Sequence, residues 1–228
     1  SDSQGIDPVV VTYLMGGQLV DNLQNPTRAT LNSEANVRAM EWYVSLRTKH
    51  KVMPDVGLLG DAARRGVYEA IRSGRCGVWF GFFGDMRGKS WGTLWLGDPV
   101  MMPLPRSQAI FNAAAVDGYF IPRSSPHPRE AWLWLMFLVE HEQAAGVHVP
   151  PRTSQIQSDA FAGRVTPDVA AVARALPATT ITSLGSAQSL GALAELYLGA
   201  VAQALQGTTD VRTALTIAQQ KAAPLFGQ

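Results

Sequence analysis

Ser73-Gly74-Arg75-Cys76-Gly77-Val78-Trp79-Phe80-Gly81-Phe82-Phe83-Gly84 is the stretch on which the reading of this chain turns. Ahead of it, residues 60–73 place Val67, Ala70 and Ile71 inward at helical spacing. Gly74 suits the left-handed conformation that closes a helix. Beyond Gly74 the pattern changes. Aromatic and β-branched side chains set among glycines predict a buried strand running into a tight turn. A helix that hands over to a buried strand points to an α/β fold.

Reading outward supports that class. Pro99-Val100-Met101-Met102, closed by Pro103 and Pro105, predicts a second strand, and Ala113 to Ile121 a third. Pro126-His127-Pro128 opens a helix whose apolar face is Trp132, Leu135, Met136 and Val139. Trp132 and Trp134 are expected in the core. Pro150-Pro151-Arg152 is a sharp connection. The remainder is Ala-rich and helical. Residues 190–205 form one helix ended by Gly207, and Thr208 or Thr209 caps another that buries Val211, Ala214, Leu215 and Ala218.

Toward the N-terminus, Asn32 or Ser33 caps a helix with Val37, Met40 and Val44 on one face, stopped by Pro54. Residues 22–30 are a polar loop. The apolar run from Asp7 to Leu14 fits a buried strand or a helix end equally, because periodicity does not separate the two.

Composition limits the function classes. The chain has 228 residues, 46% hydrophobic and 16% charged, with a formal net charge of +1. That length supports one large domain or two small ones. The basic residues are dispersed, without the stripe that nucleic-acid binding requires. No run approaches the ~20 apolar residues of a membrane helix. Cys76 stands alone, which excludes an internal disulfide and fits a small buried hydrophobe.

Catalytic and metal motifs are absent from the sequence. His50, His127, His141 and His148 do not converge at ligand spacing. Gly88-Lys89-Ser90 resembles the end of a phosphate loop, but Phe83 occupies the position of its first glycine. Leu184-Gly185-Ser186-Ala187-Gln188 lacks the second glycine of a nucleophile elbow. Asp85 and Asp117 form the one pair of acids suited to a glycosidase, which keeps a secreted glycoside hydrolase as the enzymatic alternative. A structural or interaction domain without a small-molecule ligand is the other.

Aromatic side chains beside glycines are the positive signal: Tyr13, Trp79, Phe82, Phe83, Trp91, Trp95 and Tyr119. A sugar offers flat C–H faces ringed by hydroxyls. An aromatic face covers the first, and a polar side chain at its rim bonds the second.

With these residues in place, the chain resembles the bacterial extracellular solute-binding proteins of the sugar-binding type, the group that includes maltose-binding protein. Leu14-Met15-Gly16-Gly17-Gln18-Leu19-Val20-Asp21 is similar to the family's Gly-Gly turn, and residues 31–46 to the helix after it. Residues 73–79 resemble the strand that delivers an aromatic loop to the cleft. Met101-Met102-Pro103-Leu104-Pro105 resembles a hinge segment, and Gly118-Tyr119-Phe120-Ile121-Pro122 a return strand. Residues 126–143 and Val149-Pro150-Pro151-Arg152-Thr153-Ser154 follow in family order.

The resemblance implies a periplasmic-binding-protein-like type II lobe, α/β, with a helix-rich C-terminal third. It implies residues 1–112 as the first part of the second lobe, 113–148 as a segment returning to the first lobe, and 149–228 as the helical remainder. The family's N-terminal lobe finds no counterpart here, so the expected partners include that lobe or a swapped copy of the chain. The implied function is capture of a sugar or polyol for an ABC permease, outside the cytoplasmic membrane, with no catalysis, cofactor or metal. Tyr13, Phe82, Phe83 and Tyr119 are the expected stacking residues. Asp85, Asp117 and Gln188 are the expected hydrogen-bonding ones.

Overall fold

The computed structural model describes residues 7–53, 65–66, 69–86, 99–105, 107, 112–113, 118–141, 146, 148–175, 181–182 and 188–226. In chain order its elements are α1 (Pro8–Leu14), α2 (Glu34–Thr48), a 3-10 turn (Phe83–Met86), β1 (Asn112–Ala113), α3 (Pro128–Glu140), α4 (Thr153–Ile156), α5 (Asp159–Arg164), α6 (Pro167–Ala175), β2 (Ile181–Thr182), α7 (Gln188–Leu205), α8 (Val211–Ala222) and a closing 3-10 turn (Ala223–Phe226). They fall into two compact units, one of residues 1–80, 104–115 and 180–228, the other of residues 81–103 and 116–179.

The first unit is organised by its helices. The ambiguous run after Asp7 is helical. The Asp7 carboxylate accepts from the Val9 and Val10 amides at 2.7 and 3.3 Å, and Pro8 is preset for the first turn. Ser33 caps α2 through the Asn36 amide. Val37, Met40 and Tyr43 of α2, Leu193, Tyr197 and Val201 of α7, and Leu215 of α8 form one core. Each repeats at helical spacing, so three amphipathic stripes meet. The two strands pair in parallel, Asn112 beside Ile181 and Ala113 beside Thr182.

Buried polar groups in this unit find partners, as their desolvation demands. Thr12 Oγ1 donates to Pro8 O at 2.8 Å and lies 2.7 Å from the Tyr197 hydroxyl. Gln219 joins α8 to the loop before α2. Its oxygen accepts from Leu31 N at 2.7 Å and its amide donates to Ala29 O at 2.9 Å.

The second unit has a smaller core of Phe161, Val165, Val169, Ala170 and Ala173, with Phe83, Met101 and Ile156 against it. Ser158 caps α5 through Phe161 N at 3.0 Å. Arg174 donates to the carbonyls of Ile156, Gln157 and Ser158 at 3.1–3.3 Å, tying α6 to the turn before α5.

Several expectations need correction. Residues 76–82 form no ladder strand beyond a single bridge at Phe80, and Phe83–Met86 is a 3-10 turn. Three glycines, Gly77, Gly81 and Gly84, weaken pairing, while Phe83 gains a packed neighbour in Phe161. Residues 99–102 are likewise irregular, because the Met101 amide donates to Asp168 Oδ2 at 2.6 Å instead of to a strand. The third expected strand is reduced to Asn112–Ala113; residues 118–120 are irregular and 114–117 lie outside the described residues. The last helix is capped by Asp210, which accepts from Thr213 N at 2.9 Å, and not by Thr208 or Thr209. Trp132 and Trp134 are not in a core. They are 53% and 60% exposed, because no described element packs along their side of α3.

Other expectations hold. Gly74 and Gly207 close helices at φ 72° and 71°. Ala70 and Ile71 are buried, while Val67 lies outside the described residues. Cys76, expected to be buried, is only half-buried. Among the described residues no helix is long and apolar enough to cross a membrane.

Candidate ligand-binding site

The expected contact residues fall into the two units. Phe82, Phe83, Asp85 and Tyr119 belong to the second, and Tyr13 and Gln188 to the first. Asp117, Trp91 and Trp95 lie outside the described residues.

Phe83 and Asp85 lie in one 3-10 turn, and Phe82 directly precedes it. Phe83 anchors it. Its ring lies 6.1 Å from that of Phe161, with 18° between the planes. Arg164 covers the Phe161 ring, its guanidinium carbon 5.9 Å from the ring centre. Phe82, next to this anchor, remains 37% exposed. The same unit fixes the neighbouring chain through Asp168. Burial pushes that carboxyl up, but the nearby Thr166 hydroxyl and the Met101, Asp168 and Val169 amides outweigh it and hold the group below its ordinary range. Tyr119 is 58% exposed, with Phe120 beside it. An apolar ring at a surface, held by a packed neighbour, is the arrangement a sugar face needs.

Tyr13 is placed otherwise. Only 5% of it is exposed, and its hydroxyl accepts from Leu19 N at 3.4 Å. Burial pushes its pKa up. The residue belongs to the core beneath the Gly16-Gly17 turn and is no surface platform. Gln188 is the first residue of α7.

That turn is built closely. Gly16 has φ 80°, and a Cβ on Gly17 would stand 2.7 Å from Thr12 Cγ2 and collide with Asn36 Oδ1. Asn36 is wholly buried. Its amide donates to Gln18 O, Thr30 O and Leu31 O at 2.8, 2.9 and 3.2 Å, and its oxygen accepts from Gln18 N at 3.0 Å. Sequence reading missed this residue, since a polar residue in a helix gives no local sign of what it bonds.

A groove of about 300 Å³ also opens between α2, α7 and α8, with Val44, Ala204 and Val211 beneath and Glu41 and Asp210 at the edge. It contains none of the expected contacts and no aromatic ring. Among the described residues no cluster of His, Cys, Asp or Glu is arranged to hold a metal ion.

No protein-family model matches the sequence, and no curated protein is significantly similar to it. Solved structures do match. Maltose-bound MalE3 of T. maritima is 20% identical, with a TM-score of 0.63 over 95% of this chain and 56% of its own. A periplasmic-binding protein of Synechococcus sp. MITs9220 assigned to oligosaccharides is 18% identical, with a TM-score of 0.61 over 95% of this chain and 57% of its own. The chain therefore spans little more than half the length of the proteins it matches. Over nearly all of its own length, it shares the fold of the sugar-type solute-binding proteins.

Proposed function

We propose that this chain is the substrate-binding component of an ABC importer, which captures a sugar or related polyol outside the cytoplasmic membrane and presents it to a permease without chemical change. The fold match over 95% of the chain carries this reading, since the matched proteins are binding proteins of maltose and oligosaccharide type. Phe82 and Tyr119 supply stacking surfaces, and Phe83 sets their shared unit in place through Phe161. Asp85, Asp117 and Gln188 bond ligand hydroxyls, and Tyr13 supports the turn from the core. Residues 113–148 belong with the first lobe in this scheme. That lobe comes from polypeptide beyond these 228 residues or from a second copy.

A single unit offers part of the contacts and none of the closure that two lobes give, so the isolated chain binds weakly. Thermal melting against mono- and oligosaccharides tests the proposal. One sugar should raise the melting temperature in a concentration-dependent way, approaching about 2.7 kcal/mol at a hundredfold excess over its Kd. Phe82→Ala and Tyr119→Ala should reduce that rise while leaving the ligand-free melt unchanged. No response to any sugar, with the first lobe also present and the protein folded, overturns the reading.

A further inference from the structure

One small core holds both ends of a single segment. Phe83 and Met101 pack against the same cluster, built on Phe161, Val165 and Val169. Residues 84–100 lie between them in the chain and include Asp85, Trp91 and Trp95, which the sequence singles out. The first end is held by a ring, since Phe83 stacks on Phe161 at 6.1 Å. The second end is held by its backbone, since the Met101 amide donates to Asp168 Oδ2 at 2.6 Å.

That second hold is firm. Asp168 stands in the first turn of α6, and Val169 and Ala170, the next two residues, are buried in the same core. The acceptor therefore sits on a packed element. Its carboxyl is held below its ordinary range and is ionised at neutral pH. A charged acceptor makes a shorter and stronger hydrogen bond than a neutral one. A segment fixed at both ends has fewer conformations to lose when a ligand orders it, and affinity rises accordingly.

We propose that Asp168 is a positioning residue for ligand binding, clasping the Met101 amide so that the segment after Phe82 meets the ligand already ordered. The role runs through Met101 and Phe83, with no contact between Asp168 and the ligand. It rests on the reading of Phe82 and Asp85 as sugar contacts and adds the residue that keeps them in place.

Asp168→Ala and Asp168→Asn test the proposal together. Asn keeps an oxygen that can accept from the Met101 amide, and Ala has none. Asp168 is partly exposed and Ala suits a helix, so far-UV circular dichroism should be alike in all three proteins. The first arm is hydrogen exchange of the 228-residue chain without ligand. In Asp168→Ala the amides of Met101 and of residues 83–86 should exchange about tenfold faster, and in Asp168→Asn within about threefold of the original rate. Faster exchange confined to Met101, or none at all, overturns the positioning. The second arm is titration calorimetry with the first lobe also present, using maltose and each sugar that raises the melting temperature. The Kd should rise about tenfold in Asp168→Ala and stay within about threefold in Asp168→Asn. Equal losses in the two variants overturn the role of the hydrogen bond. Arg174→Ala controls for stability alone, because the Arg174 hydrogen bonds go to residues 156–158. It should lower the melting temperature and leave the Kd within about twofold. A rise as large as that of Asp168→Ala would make general loosening the cause and overturn the proposal. Original protein that binds no sugar overturns the sugar reading and this role with it, whereas normal binding with an unchanged Kd in Asp168→Ala overturns the role alone.

Discussion

Asn36 shows how much one side chain settles. It joins α2 to both ends of the segment between α1 and α2, through Gln18 on one side and Thr30 and Leu31 on the other. Replacing it with Ala strands several buried backbone groups at once, and each unsatisfied group costs about 1–3 kcal/mol. Asn36→Ala should therefore lower the urea midpoint by an amount equivalent to about 1–3 kcal/mol with an unchanged slope. A loss under about 0.5 kcal/mol, the level of an ordinary surface change, would show that water reaches those groups. The Gly-Gly turn was visible in the sequence as a turn. Its tightness was not, because the atoms that exclude a Cβ at Gly17 come from Thr12 and Asn36, which lie on different helices.

At the scale of elements, carboxylates act at several helix starts and in the loop from Asp21 to Arg28. Asp21 accepts from the Thr27 hydroxyl and from the Asn22, Thr27 and Arg28 amides, and its pKa is lowered to about 2. Arg212 hydrogen-bonds both oxygens of Glu34, at 2.5 and 2.9 Å, and keeps it below its usual range. The Thr213 amide does the same for Asp210. A carboxyl whose folded pKa is depressed adds stability above its unfolded value and loses it as pH falls through the folded value. The melting temperature should therefore be level from neutrality to about pH 5, then fall between about pH 4 and pH 2. Asp210→Ala should make that acid decline shallower. A decline of the same steepness in the variant would remove Asp210 from its causes. The helix boundaries were largely legible, since Ser33 and Gly207 stand where a start and an end need them. The cap of α8 was placed one or two residues early, because Thr208, Thr209 and Asp210 all suit the position.

At the scale of the whole molecule, the chain has two cores. Leu215 belongs to the larger and Phe161 to the smaller. Removing a buried leucine costs about 2–5 kcal/mol and a buried phenylalanine about 3–5 kcal/mol. Leu215→Ala should speed hydrogen exchange in α2, α7 and α8, and Phe161→Ala in α5 and α6. Equal loss of protection throughout both units in either variant would show that they unfold as one. Sequence alone was enough for α2, α7 and α8, for the inward faces of α2 and α8, and for a resemblance whose fold the matched structures share. Those features follow from spacing and capping, which act over a few residues. Only long-range packing put Tyr13 in the core, left Trp132 and Trp134 outside one, and limited residues 76–82 to a single bridge at Phe80. Burial and strand pairing depend on what distant segments bring alongside, and hydrophobicity along the chain does not record which neighbour arrives.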